Sequence, residues 1–187
     1  MKKPKNNSQA PAPQSPLKSA PTAGMDVVAP EFKIYTGLDS TAATKCAEAL
    51  GRVLADCYQM FIKTQGVHWN VAGPAFYGIH KLTEQQYGDL YEAIDHIAER
   101  IRALGHKAPA SYSTYGSLSI IRDEDRPQTA ADMIAMLVRD NGLLCKTLRD
   151  AVDVADECND VVTADLLTGR LAAHEQNGWM LQMHVEQ

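Results

Sequence analysis

The sequence lacks the apolar patterns of membrane and β proteins. None of its apolar runs approaches the roughly 20 residues that a membrane-spanning helix requires. No apolar stretch follows the basic start Met1-Lys2-Lys3-Pro4-Lys5, so a secretory signal is not expected and a cytoplasmic location is the default. No segment alternates polar and apolar residues as a half-buried strand does. The 187 residues, 45% of them hydrophobic, therefore predict one helical domain with a substantial core.

Paired cysteines are also missing. The four cysteines are Cys46, Cys57, Cys145 and Cys158, and no two of them form a Cys-x-x-Cys motif. A zinc or disulfide framework is therefore disfavoured. We predict that all four are small buried core residues.

Charge divides the chain into a basic tail and an acidic body. The net charge is −5, but residues 1–25 contain Lys2, Lys3, Lys5 and Lys18 and no acidic residue, which leaves −9 on the remainder. Proline, alanine, serine, asparagine and lysine dominate this tail, and almost none of its side chains can enter a core. We predict a disordered basic tail over residues 1–30 and a helical domain over residues 31–187.

Apolar residues recur at steps of three and four in four long segments, which predicts four helices. The helices are expected from Asp39 or Ser40 to about Gly66, from about Phe76 to near Gly105, from Thr129 onward, and from Val161 or Thr163 onward. Thr129 and Asp132 resemble a capping box at the start of the third.

The connection between the second and third helices, residues 105–127, is too long for a tight turn, and Tyr115 to Ile121 could form a short helix within it. Four long helices with one long middle connection predict an all-α, ferritin-like four-helix bundle with a short extra helix in that crossover.

Five possible metal ligands lie in and before the second helix: His68, His80, Glu84, Asp95 and Glu99. The last four share one helix face within an arc of roughly 100°. His80 and Glu99, however, are about 28 Å apart along the helix axis, so one chain cannot gather them around one ion.

Pairing of two copies about a two-fold axis resolves this separation. If the second helices pack antiparallel, the His80 end of one meets the Asp95 and Glu99 end of the other, and two identical sites form. His68 ends the first helix and can join His80. Mixed imidazole and carboxylate ligands suit iron, so we predict an iron site shared between two chains.

The alternative is that these side chains are only solvated, as helix-face histidines and carboxylates usually are. None of the five has a basic residue at i+4 to explain it as half of an ion pair, which favours the metal hypothesis for the set. We expect His96 and His106 to be solvated and His174 to pack within the bundle. The sequence contains no Glu-x-x-His, so the usual iron site inside a single ferritin bundle is disfavoured.

One pattern in this region resembles a known family. His68-Trp69-Asn70-Val71-x-Gly73-x-x-Phe76-x-x-x-His80-x-x-x-Glu84, followed by Asp95-x-x-Ala98-Glu99-Arg100, is similar to the signature of Dps, the DNA-binding proteins from starved cells. The resemblance covers about residues 39 to 187. It implies a shell of twelve subunits, built from two-fold dimers, with a two-iron ferroxidase centre shared between two chains. It also implies that iron is oxidised there, preferably with hydrogen peroxide, and that the ferric mineral is stored inside.

The resemblance also implies roles for single residues. His68, His80, Glu84, Asp95 and Glu99 match the family's iron ligands, although many members have Asp in place of Glu84. Trp69 matches a tryptophan beside the centre, where it could donate an electron or only pack.

Fewer residues point to pores in the shell or to contact with DNA. Asp160 and Asp165, near the start of the fourth helix, are candidates for acidic pores, or alternatively are carboxylates favoured by the helix dipole. Lys2, Lys3, Lys5 and Lys18 could contact the phosphates of double-stranded DNA without reading bases, or the arm could bind nothing. Two alternative functions remain open: a nucleoid-associated protein that chiefly compacts DNA, and a helical oligomer with a degenerate site.

Overall fold

The computed structural model describes residues 31–33, 35–123 and 129–184, and this part of the chain is helical. The helices are α1 (Ser40–Asn70), α2 (Phe76–Ala103), α3 (Tyr112–Leu118), α4 (Ala130–Glu157) and α5 (Val161–Gln182). The predicted all-α bundle with a short helix in the crossover is confirmed. The tail predicted for residues 1–30 lies outside the described residues.

The first helix is longer than its sequence pattern predicted. It passes through Gly66 and ends only at Asn70, where Val71 turns extended. A glycine inside a helix costs only about 1 kcal/mol relative to alanine, and burial of Val67 and His68 in the following turn offsets that cost. The extra turn carries His68 toward the start of α2.

Side-chain caps and one glycine define several of the other helix ends. Asp39 accepts hydrogen bonds from the backbone of Thr41 and Ala42 at the start of α1, and the capping box of Thr129 and Asp132 at the start of α4 is confirmed. After α2, Gly105 adopts φ +90°, a left-handed conformation that glycine tolerates well and that ends the helix.

The order of the helices follows from contacts between them. Lys63 meets Asp140 and Asp56 meets Thr147, so α1 and α4 are antiparallel. The helix α1 is also antiparallel to α2, because their connection is short and rings near the end of α1 meet rings near the start of α2. The helices α2 and α4 are therefore parallel, which requires the long crossover of a ferritin-like bundle.

Large leucine and isoleucine side chains, most of them from the long helices, occupy the centre of the core. The largest fully buried side chains are Leu50, Leu54, Leu90, Ile97, Ile101, Leu104, Ile121, Ile134, Leu137, Leu144, Leu148 and Leu167. All four cysteines are free: Cys46 and Cys57 are buried as predicted, whereas Cys145 and Cys158 are only partly buried. Within the described ranges, no helix is both long and apolar enough to cross a membrane.

A buried carboxylate fixes the crossover against the bundle. Asp56 accepts hydrogen bonds from the Ser119 hydroxyl at 2.5 Å, the Ile120 backbone at 2.9 Å and the Thr147 hydroxyl at 2.6 Å. Burial raises the pKa of Asp56, and these donors partly offset the shift. The ammonium of Lys63 likewise binds both Asp140 and the carbonyl of Arg122. The crossover is thus held at two points on α1.

Candidate metal centre

The structure brings His68 and His80 together. His68 lies in the last turn of α1 and His80 in the first turns of α2, and the two imidazole rings stack with centroids 3.8 Å apart and planes 16° apart. The sequence placed them twelve residues apart across a helix break, so this contact depends on the antiparallel packing of α1 and α2.

Two reciprocal hydrogen bonds orient these rings. The Nδ1 of His68 lies 2.9 Å from the carbonyl oxygen of His80, and the Nδ1 of His80 lies 2.9 Å from the carbonyl oxygen of His68. Because a carbonyl oxygen can only accept, each Nδ1 must carry the proton. In the neutral ring, Nε2 then holds the lone pair that a metal ligand needs, and the carbonyls fix the ring as outer partners of metal-binding histidines do.

Aromatic rings enclose the histidine pair. Phe76 stacks on His80 with centroids 5.0 Å apart, and Tyr87 meets His68 edge-on at 5.1 Å. His68 is only 8% exposed and His80 is half-buried. The pair is therefore held rigidly, with one side against the protein and the other open toward solvent.

Glu84 lies one helical turn after His80, on the same face of α2. Its carboxylate receives a hydrogen bond from the Lys81 ammonium at 2.7 Å. Lys81 lies three residues before Glu84, so the absence of a basic residue at i+4 does not leave Glu84 without an ion-pair partner. This hydrogen bond and the positive charge of Lys81 lower the pKa of Glu84, with smaller contributions in the same direction from His68 and His80. Glu84 is thus an ionised donor beside the two imidazoles.

Asp95 and Glu99 do not join the histidines within this chain. Both are exposed on the second half of α2. Asp95 lines an open cleft of about 480 Å³ whose walls include Phe61 and Tyr91. No group of three or more histidine, cysteine, aspartate or glutamate side chains converges anywhere in the described residues. Of the predicted ligands, a single chain therefore stacks only His68 and His80 against each other, and the union of this pair with Glu84 and with Asp95 and Glu99 of a second chain remains a prediction.

The remaining predicted residues have varied surroundings. Trp69 follows His68 and is 68% exposed. His96 is exposed as expected. The expectation that His106 is solvated is wrong: it is 4% exposed, and its Nε2 lies 3.3 Å from the Thr44 hydroxyl. His174 packs inside the bundle as predicted, with its Nδ1 2.7 Å from the amide oxygen of Asn141.

Asp160 and Asp165 differ from each other. Asp160 is 3% exposed, caps α5 by accepting from Thr163, and pairs with Arg100 at 2.7 Å. Burial alone would raise the pKa of Asp160, but these hydrogen bonds lower it. Of the two roles that the sequence allowed for Asp160, this geometry supports the helix cap. Asp165 is exposed. The four tail lysines lie outside the described residues.

Comparison with known proteins agrees with this architecture. A family model for the ferritin-like domain matches residues 47–187. An uncharacterised low temperature-induced protein of Nostoc is 40% identical over 157 residues, which cover 82% of this chain and 87% of that protein. DNA protection during starvation protein 2 of Bacillus anthracis is 33% identical over 140 residues, covering 75% of this chain and 96% of that protein.

A solved structure shows the same fold. The crystal structure of a Dps protein from Vibrio cholerae, described as a member of a broad superfamily of ferritin-like diiron-carboxylate proteins, superposes with a TM-score of 0.77. It is 30% identical and covers 82% of this chain and 98% of its own. Fold and matches together define a ferritin-like protein. Within that class, the chain belongs to the Dps family.

Proposed function

We propose that this protein oxidises ferrous iron, preferably with hydrogen peroxide, and stores the ferric product inside a shell of twelve copies. Membership in the Dps family supports iron storage and DNA protection in general. The observation that carries the proposal is the stacked His68–His80 pair, because both rings are fixed as Nδ1–H tautomers whose Nε2 atoms can bind a metal. Iron is the substrate of this site.

The proposed site needs two copies of the chain. His68, His80 and Glu84 of one copy supply one half, and Asp95 and Glu99 of a second copy supply the other. The exposure of Asp95 and Glu99, and the open cleft beside Asp95, support this arrangement because a second helix could pack there. A two-fold contact then creates two equivalent sites.

The chemistry follows from the electron count of peroxide. Two ferrous ions give two electrons to one hydrogen peroxide, the O–O bond breaks, and two protons complete two water molecules. Neutral imidazoles suit ferrous iron, and carboxylates hold the harder ferric product. The reaction removes both reagents that would otherwise form hydroxyl radical.

Substitution of both histidines tests the proposal. The wild-type protein, loaded with Fe(II) without oxygen and given one addition of hydrogen peroxide, should form ferric iron rapidly without trapped hydroxyl radical. The double variant His68→Ala/His80→Ala should fall to the rate of protein-free buffer, because both imidazole ligands are lost. The variant Lys146→Ala is the control for a truncated exposed side chain, since Lys146 lies on α4 and belongs to neither the proposed ligands nor the cleft beside Asp95. A wild-type rate in the double variant would refute the site.

Iron entry and release involve the acidic body. We propose that ferrous ions enter through pores at the three-fold axes, with exposed Asp165 among the carboxylates that attract them. The ferric product then collects in the negatively charged interior of the shell.

Contact with DNA is the second proposed role, and the charge division of the chain favours it. Residues 26–187 carry a net charge of −9, which repels phosphate. Binding should therefore depend on Lys2, Lys3, Lys5 and Lys18, which recur on every subunit of the shell. Deletion of residues 1–25 should abolish retardation of linear duplex DNA in a gel, while iron oxidation continues. Unchanged retardation would place DNA binding elsewhere, and a full-length protein that retards no DNA would leave iron storage as the function.

A further inference from the structure

Two of the four cysteines lie together at one end of the bundle. Cys46, in the second turn of α1, is completely buried, and Cys158 is the partly buried residue that caps the end of α4. Burial raises the pKa of the Cys46 thiol, and interactions with the Cys158 thiol and the Asp160 carboxylate raise it further. The side chains of Cys158 and Asp160 are therefore close to the Cys46 sulfur.

The register of α1 against α4 places the two cysteines opposite each other. The polar contacts between these antiparallel helices start from Asp56 and Lys63, seven residues apart on α1, and end on α4 residues that are also seven apart. Continuing this register ten residues from Asp56 toward the start of α1 reaches Cys46. The ten matching residues along α4 lead to position 157, next to Cys158.

Buried alanines surround the pair on both helices. Ala43 and Ala47 are neighbours of Cys46 on α1, and Ala151 and Ala155 precede Cys158 on α4. The separation of packed helices depends on the side chains between them, so alanines allow a closer approach than leucines would. A disulfide requires such an approach, because cysteines whose Cα atoms are more than about 7 Å apart cannot be bridged without movement of the backbone.

The two thiols differ in their access to solvent. Cys158 is partly exposed, so a small oxidant can reach its sulfur, whereas Cys46 is 0% exposed. A redox-sensitive pair consists of one accessible cysteine that reacts with the oxidant and a neighbouring cysteine that resolves the product. Cys158 and Cys46 fit these two roles in that order.

We propose that hydrogen peroxide oxidises Cys46 and Cys158 to a disulfide, which ties the start of α1 to the turn between α4 and α5. The Cys158 thiol gives its proton to solvent, and the thiolate attacks one oxygen of peroxide. The O–O bond breaks, Cys158 becomes a sulfenic acid, and the hydroxide that leaves takes a proton from solvent to become water.

The second step closes the disulfide. The Cys46 sulfur attacks the Cys158 sulfur, the S–O bond breaks, and the second hydroxide leaves as water with the proton of the Cys46 thiol. Two thiols have then lost two electrons and two protons, and one peroxide has become two water molecules. This chemistry uses no iron, so it is independent of the proposed ferroxidase site.

Asp160 is placed to receive the proton of Cys46. Burial alone raises the pKa of Asp160, but hydrogen bonds from Thr163 and Arg100 outweigh it and lower the pKa, so Asp160 is ionised at neutral pH. A thiol with a raised pKa needs such a base, because the thiolate is the nucleophile. The carboxylate therefore assists the attack of a cysteine that burial keeps protonated.

Oxidation of iron-free protein tests the proposal. The assembled wild-type protein is reduced, freed of metal with a chelator, and given one equivalent of hydrogen peroxide per chain without oxygen. Free thiols are then alkylated, and the digested protein is analysed by mass spectrometry. We expect two of the four thiols to be lost, with one pair of peptides linked through Cys46 and Cys158. The unfolding temperature should rise by several degrees, because the disulfide restricts the unfolded chain.

Three single variants separate the steps. Cys158→Ser should form no disulfide and should lose no thiol to peroxide. Cys46→Ser should stop at the Cys158 sulfenic acid, which dimedone traps. Cys145→Ser is the matched control and should keep the disulfide, since Cys145 is also partly buried but lies about 20 Å from Cys158 along the axis of α4.

Several results would overturn the assignment. Four free thiols after peroxide treatment, or a Cys158 disulfide between two chains, would reject the pair. Equal disulfide formation without peroxide would reject peroxide as the oxidant, and an unchanged unfolding temperature would reject the tie between α1 and the turn. If Cys46→Ser does not assemble, the linked peptides of the wild type and their absence in Cys158→Ser carry the test.

Discussion

The two halves of the ligand set differ in how completely one chain builds them. His68 and His80 are stacked and held by each other's backbone carbonyls, so their geometry exists before any partner arrives. Asp95 and Glu99 stand exposed on the second half of α2, apart from the His68–His80 pair. In the proposed site, the histidine pair is built within one chain, whereas the carboxylates would reach the metal only after two chains assemble. Oxidation should therefore be switched on by dimer formation.

A third histidine, His174, makes a similar hydrogen bond through Nδ1 but is fully buried, and burial changes its pKa. The Nδ1 of His174 also faces an oxygen, that of the Asn141 amide, but His174 is only 1% exposed. Burial, assisted by the positive charge of Arg170, lowers the pKa of His174 to about 3, so the ring stays neutral in the core. His174 therefore stabilises contact between α4 and α5, while the half-buried His80 keeps access to solvent.

The largest expected effect comes from combining the two halves on different chains. Separate shells of His68→Ala/His80→Ala and of Asp95→Asn/Glu99→Gln should both be inactive. When the two variants are co-expressed and pair at random, about a quarter of the sites combine intact histidines from one chain with intact carboxylates from the other. Peroxide-driven ferric formation should therefore rise from background to about a quarter of the wild-type rate.

Shells assembled separately and then mixed are the control, since their chains cannot pair within a dimer and should stay inactive. If the co-expressed shells also stay inactive, the ligands do not come from two chains. The difference drawn above between the histidine pair and the two carboxylates would then be wrong.

Helix periodicity was enough to predict the bundle. It did not predict where single helices begin and end, or which charged residues are buried. The helix α1 continues past Gly66 because burial of Val67 and His68 offsets the free-energy cost of one glycine in a helix. α3 begins at Tyr112, earlier than predicted, because Ser111 caps it within a serine-rich run that resembles a loop. The buried pair of Lys63 and Asp140 was missed, since a periodic pattern assigns charged residues to the surface.

Residue types at the candidate centre were readable from the sequence, but their orientation was not. The spacing of His80 and Glu84 on one helix follows directly from 3.6 residues per turn. The reciprocal hydrogen bonds with His68 depend on how two helices pack around a short connection, which no local pattern records. The aromatic contacts of Tyr87 depend on the same packing.

The smallest expected effect concerns the ion pair between Lys81 and Glu84, next to the histidine pair. Lys81 lowers the pKa of Glu84, so Glu84 stays ionised to a more acidic pH than an ordinary glutamate. Lys81→Met should return this pKa toward its usual range, and Glu84 would then be protonated at a higher pH. In titrations with redox-inert Zn²⁺ from about pH 4 to pH 7, the acid edge of binding should move to higher pH. Near neutral pH, Glu84 is ionised in both proteins, so affinity there should change little.

The exposed Lys146 of α4 provides the control, because Lys146→Met removes a like charge away from Glu84. If the profile of Lys81→Met coincides with that of Lys146→Met, the ion pair does not govern the ionisation of Glu84. Glu84 would then behave like Asp95 and Glu99, as a carboxylate whose role is set only by assembly, and the preorganised half of the site would consist of the two imidazoles alone.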